Sequence, residues 1–101
     1  MTTRNTRVHP DAVIPIGNMT LETDTGAATL AVPTGASGIL MQNLAANGSY
    51  WSFEAMTDVD QGFKFGTDLE KVWFNTQTEN IYLFVHASDT IVYQFVAPVA
   101  Y

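Results

Sequence analysis

Two neighbouring segments near the C-terminus carry apolar residues on both faces of a strand. Asn80–His86 reads Asn-Ile-Tyr-Leu-Phe-Val-His, and Thr90–Val96 reads Thr-Ile-Val-Tyr-Gln-Phe-Val. Successive side chains of a strand point to opposite sides, and an antiparallel sheet in a small sandwich buries one side and wets the other. Ile81, Leu83 and Val85 therefore fill a core while Tyr82 and Phe84 face away from it. In the second segment Ile91, Tyr93 and Phe95 share one face, and Val92 and Val96 lie on the other. A chain of 101 residues builds one core of modest depth. The surplus apolar face is expected to meet another chain or this chain's own N-terminal arm.

The rest of the pattern is also β. Met19–Thr23 alternates, and Asp24–Gly26 is a turn cluster. Ala27–Val32 is a second strand, closed by Pro33 and a Gly35–Gly38 turn, and Gly38–Leu44 is a third. Asn47-Gly48 supplies a positive-φ pair and predicts a hairpin into Ser49–Met56, with Trp51, Phe53 and Ala55 inward and Tyr50, Ser52 and Glu54 outward. Gly62–Phe65 sets Phe63 and Phe65 against Lys64, and Glu70–Phe74 sets Val72 and Phe74 against Lys71 and Trp73. About eight short strands with turn signals every eight to twelve residues predict an all-β fold, an antiparallel β-sandwich or jelly-roll-like barrel. No window holds a helical stripe, and Thr57–Gln61 reads as a loop.

Residues 1–18 read as an extended N-terminal arm, with the body at 19–101. Pro10 and Pro15 fix φ and remove amide donors, while Val8, Val13, Ile14 and Ile16 follow no helical period. A free tail is usually more polar than Val-Ile-Pro-Ile, so the arm is expected to lie on a surface, with a frayed terminus as the competing reading.

Composition narrows the partners. Apolar residues make up 47% and charged residues 14%, against about a quarter charged in ordinary domains. Neutral, aromatic-rich surfaces are typical of obligate assemblies. The net charge of −6 divides into +1 over residues 1–18 and −7 over the remainder. An acidic body repels phosphate backbones, so no nucleic-acid partner is expected. The chain has no cysteine, which removes disulfides, thiolate metal ligands and cysteine nucleophiles. Its first residues hold no apolar signal-peptide core, and no run is long enough to cross a bilayer as a helix. Synthesis in the cytoplasm and no membrane partner are expected.

Chemistry is weakly signalled. His9 and His86 have no second histidine nearby and read as surface or strand-end residues. Asp58 and Asp60 before Gly62 open like a calcium loop, but Phe63, Lys64 and Phe65 follow and the closing glutamate is missing. Glu22 with Asp24, and Asp68 with Glu70, share a strand face and read as solvating pairs. Phosphate-loop, dinucleotide, zinc-protease and nucleophile-elbow motifs are absent. No cofactor, no metal and no enzymatic activity are expected. Trp73 with neighbouring tyrosines offers one further possibility, a platform for stacking sugars.

The stretch from Ala27 to Val96 resembles small virion proteins of tailed bacteriophages. The residues that carry this are Ala27-Ala-Thr-Leu-Ala-Val-Pro-Thr-Gly-Ala-Ser-Gly, Ile39-Leu-Met-Gln, Ser49-Tyr-Trp-Ser-Phe, Gly62-Phe-Lys-Phe-Gly and Asn80-Ile-Tyr-Leu-Phe-Val-His-Ala. One departure is Glu54-Ala-Met-Thr-Asp-Val-Asp-Gln, where that group often has an Asp-Gly-(Ser/Thr)-x-Pro-Thr stretch. The resemblance implies a non-enzymatic β-sandwich located in the virion, a cement or decoration protein bound to the major capsid protein. It also implies a homo-oligomer, with a trimer favoured at capsid threefold positions. A tail or fibre component and a carbohydrate-binding module are the alternatives. Interface residues are expected at Tyr82, Phe84, Val92, Val96 and Trp73, with Val13, Ile14 and Ile16 anchoring the arm.

Overall fold

The computed structural model describes the backbone of residues 8–56 and 61–100, and the side chains of 13–56 and 61–99. Among these residues there are nine strands and no helix. They are β1 (Val8–Pro15), β2 (Thr20–Glu22), β3 (Gly26–Ala31), β4 (Gly38–Asn43), β5 (Tyr50–Ser52), β6 (Phe63–Lys64), β7 (Glu70–Trp73), β8 (Asn80–Val85) and β9 (Ile91–Ala100). Two antiparallel sheets result, and the fold is the all-β sandwich expected from the strand pattern. The first sheet runs β1-β9-β4-β7 with β2 also paired to β9, and the second runs β3-β8-β5-β6. Only β1–β2 and β5–β6 follow one another within a sheet; each of the other connections crosses between layers.

The core lies where the two inner faces meet. Ile81, Leu83 and Val85 of β8 face Ile39 and Met41 of β4 and Ile91 and Phe95 of β9, all buried, with Phe65, Trp51 and Leu30 closing the cluster. Burying each large aliphatic or aromatic side chain contributes about 1.5–3 kcal/mol. The two-residue period assigned the faces of β8 and β9 as they occur.

Three local expectations are corrected. Asn47-Gly48 does not form a hairpin, because β4 already has β9 on one edge and β7 on the other. No edge remains for β5, which joins β8 and β6 in the opposite sheet. Gly48 keeps a positive φ of 128°, so the turn bends the chain from one layer to the other. Second, β5 ends at Ser52. Its hydroxyl accepts the Glu54 amide at 3.0 Å, a local bond that competes with the ladder. Ser52 stands on the outward face beside Tyr82 but is buried there, and Phe53 is 42% exposed rather than inward, packed edge-on to Trp51 at 5.4 Å. Third, Phe63 and Phe65 have opposite fates. Phe65 is buried, whereas Phe63 overhangs the sheet edge at 61% exposure, its ring 5.0 Å from Trp51.

The described part of the expected arm is a strand. Residues 8–15 pair with Val96–Ala100 of β9, with a register shift between His9 and Val13, and the Ile16 amide bonds the Phe95 carbonyl at 2.8 Å. Ile16 packs against the core, so it anchors this segment to its own body. Residues 1–7 lie outside the described residues, as do the aspartates at 58 and 60.

Gly38 is required for space rather than for backbone freedom. A Cβ there would overlap Cε3 and Cζ3 of Trp73, its cross-strand neighbour on β7. Gly38→Ala is expected to lower stability by about 1–3 kcal/mol in urea unfolding. It should also shift the tryptophan emission, because the Trp73 ring must leave its place on the sheet.

Candidate binding surface and a buried carboxylate

Outward faces of both sheets carry apolar side chains. On the second sheet, Tyr82 and Phe84 of β8 are half-buried, flanked across the ladder by Thr29 and Ala27 on one side and by Ser52 and Tyr50 on the other. The expected outward direction of Tyr82 and Phe84 is the one found.

The outward face of the first sheet is more open. Leu40, Val92 and Gln94 floor a shallow groove of about 150 Å³, bounded by Met19 and Leu69. Met19 is 69% exposed and Leu21, opposite Val92, is 61% exposed. Leu69, Trp73 and Leu44 are exposed as well. Exposed apolar residues gathered around one groove, as Met19, Leu40, Leu69 and Val92 are, mark interaction sites on soluble proteins. The groove's two amides are committed to backbone: Gln42 Nε2 donates to the Thr67 carbonyl at 2.9 Å and Gln94 Nε2 to the Gly17 carbonyl at 3.1 Å.

The expected interface residues fall unequally on this surface. Val92 is half-buried in the groove floor, and Trp73 lies outward over Gly38. Val96 points outward as its period required but is only 1% exposed, set between Pro15 and Gly38 in neighbouring strands. Ile14 is 50% exposed and Val13 half-buried in the β1–β9 ribbon. Met19, Leu21, Leu40 and Leu69 were not singled out from the sequence. Met19, Leu21 and Leu69 each stand between polar residues and Leu40 sits within an apolar run, and only the pairing of β2, β4 and β9 places them together.

At one end of the sandwich a buried carboxylate ties two loops. Asp89, 2% exposed, lies between β8 and β9. It accepts from Ser49 Oγ at 2.6 Å, Asn43 Nδ2 at 2.9 Å, Asn47 Nδ2 at 3.0 Å and the Asn47 amide at 3.1 Å. The Ser49 hydroxyl in turn accepts the His86 amide at 2.9 Å. Burial alone pushes the Asp89 carboxyl up, but the hydrogen bonds from Ser49, Asn43 and Asn47 outweigh it and hold the group below its ordinary value. Serine, histidine and aspartate are all present, yet this is no nucleophilic triad. Ser49 is fully buried and donates to the carboxylate, while the His86 ring is exposed and its Nδ1 accepts the Ser88 amide at 3.2 Å. The set is a clasp. It uses the Asn47 whose sequence context suggested a hairpin.

Compared with known proteins, the chain matches no family model, no curated protein and no solved structure.

The clasp predicts an acid-sensitive fold. A carboxyl held below its unfolded pKa, about 3.9, contributes stability that is complete above that value and lost as pH falls through the lower, folded one. Asp89→Asn should cost about 3 kcal/mol at neutral pH, because buried donors lose an ionised acceptor. The cost relative to the parent chain should shrink as pH drops below about 4. Urea unfolding of both chains across acid pH measures this difference.

Proposed function

We propose that this chain is a structural protein of a phage virion that binds the assembled head shell as a cement or decoration protein. The observation that supports this reading most is the exposed apolar groove on the first sheet, around Met19, Leu21, Leu40, Leu69 and Val92. A lone soluble domain gains nothing from leaving such residues in water, whereas a protein seated on a larger neutral surface buries them. The sequence resemblance from Ala27 to Val96 supplies the kind of partner, the major capsid protein. A molecule that binds only the closed shell stabilises it by mass action, and many copies multiply the effect. Residues 8–16 are held by the chain's own β9, so the groove takes over the attaching role expected of the arm.

A sugar-binding reading rests on Trp73, a residue 38% exposed. Its support is weaker, because Gln42 and Gln94, the amides on the same outward face, already donate to backbone carbonyls. Loss of binding by Trp73→Ala on a glycan array is the result that would favour it.

The test of the cement role is occupancy on isolated head shells of the virion that carries this chain. The parent protein should bind at a copy number comparable to the major shell protein and raise the temperature at which the shell ruptures. The double change Met19→Asp, Leu21→Asp should fold normally, both sites being well exposed, and reduce occupancy about tenfold or more. Unchanged occupancy of that variant would refute the groove as the attachment surface. Occupancy of a few to dozens of copies, confined to the tail, would favour a tail or fibre component instead.

A further inference from the structure

Sheet edges attract other strands unless something guards them. Among the described residues, most of the edges in this sandwich are guarded. β1 contains Pro10 and Pro15 and a register shift, and β2 is three residues long with Glu22. β6 has two residues, one of them Lys64, and β7 carries Glu70 and Lys71. The overhanging end of β9 contains Pro98. β3 differs. It is six residues, Gly-Ala-Ala-Thr-Leu-Ala, with no charge, proline or bulge, and no described strand pairs with its second edge.

The direction of each backbone group on that edge follows from one bond. The Val32 amide donates to the Glu79 carbonyl at 2.9 Å, so Val32 and Glu79 form a hydrogen-bonded pair just beyond the β3–β8 ladder. Such pairs alternate along an antiparallel ladder. Leu30, Ala28 and Gly26 therefore aim their amides and carbonyls at β8. Ala27, Thr29 and Ala31 aim theirs at the open edge, and all three residues are exposed. Three N–H and three C=O groups are thus presented in a row.

We infer that β3 pairs with β3 of a second copy around a twofold axis through Thr29. Antiparallel self-pairing must match inner residues with inner and outer with outer, and must also bring the outward amides together. Centring on Thr29 satisfies both. Thr29 then faces Thr29 of the second copy, and Ala27 faces Ala31 in both directions, giving six hydrogen bonds. On the inner side Ala28 stands opposite Leu30 of the second copy, a small residue beside a large one. On the outer side only alanine and threonine meet, with no charge and no bulk to hold the strands apart. The two four-stranded sheets become one sheet of eight, and the outward Tyr82 and Phe84 of both copies share its face. The axis closes the contact, and the far edge of the joined sheet is the guarded β6, so growth ends at the dimer. This goes beyond shell binding and stands or falls independently of it. It replaces the threefold expected from the sequence resemblance with a twofold.

Sedimentation of the full chain in the high micromolar range is expected to show a dimer. Thr29→Pro should give a folded monomer, since the lost amide serves only the open edge and proline is tolerated on such edges. Thr29→Lys sets like charges opposite one another and should raise the dimer dissociation constant about tenfold or more. Register is read by cysteine. The chain has none of its own, and facing residues of a hydrogen-bonded pair lie about 5.5 Å apart, within disulfide reach. Thr29→Cys should therefore oxidise to a linked dimer. Ala27→Cys, about 13 Å from its own symmetry mate, should not. A monomeric or trimeric parent chain, a folded Thr29→Pro dimer, or equal linking at positions 27 and 29 would each overturn the proposal. Should Thr29→Pro fail to fold, the cysteine pair decides.

Discussion

Sheet pairing around β9 is the constraint on which the rest depends. This strand runs for ten residues and, among the described residues, is the only one that meets three others, β1 and β2 along one edge and β4 along the other. Its first half supplies Ile91 and Phe95 to the core while Val92 floors the outward groove. Its second half leaves the body and holds β1. The position of β4 beside β9, with β7 beyond, then forces β5 into the other layer. That single displacement explains why an apparent hairpin became a corner and why Asn47 was free to join the Asp89 clasp.

Alternation and turn residues made most of the elements legible in the sequence. The inward sets of β8 and β9 could be read directly, because Ile81, Leu83 and Val85 repeat with a strand's period and nothing competes with it. The end of β5 could not. Ser52 interrupts its strand through a hydroxyl bond to Glu54 that no apolar pattern encodes. Partner choice was equally hidden. Asn-Gly signals a tight turn, but whether the next strand pairs with the last depends on how many edges the earlier strand has already used.

The candidate surfaces were legible in proportion to how locally they are built. Tyr82 and Phe84 lie two apart on one strand, and their outward direction follows from period alone. The groove draws on the residue before β2, on β4 and β9, and on the loop before β7, so its members are adjacent only after folding. Val96 illustrates the converse case. Its face was readable, yet its burial comes from the strands on either side, which the period of a single strand does not report. Asp89 carries no motif at all. Its role arises because Asn43, Asn47 and Ser49, forty or more positions away, arrive at the same end of the sandwich.

The repeated crossing of the chain between layers has a kinetic meaning. Because consecutive strands seldom share a sheet, neither layer can be completed by a contiguous stretch of polypeptide. Nearly every ladder joins segments distant in sequence, so the entropic cost of closing long loops precedes the reward of pairing, and such topologies assemble slowly. The same interleaving works in reverse once assembly is done. A cut in any loop between β3 and β8 frees no autonomous half, since each resulting piece still contributes strands to both layers and is held there by the other.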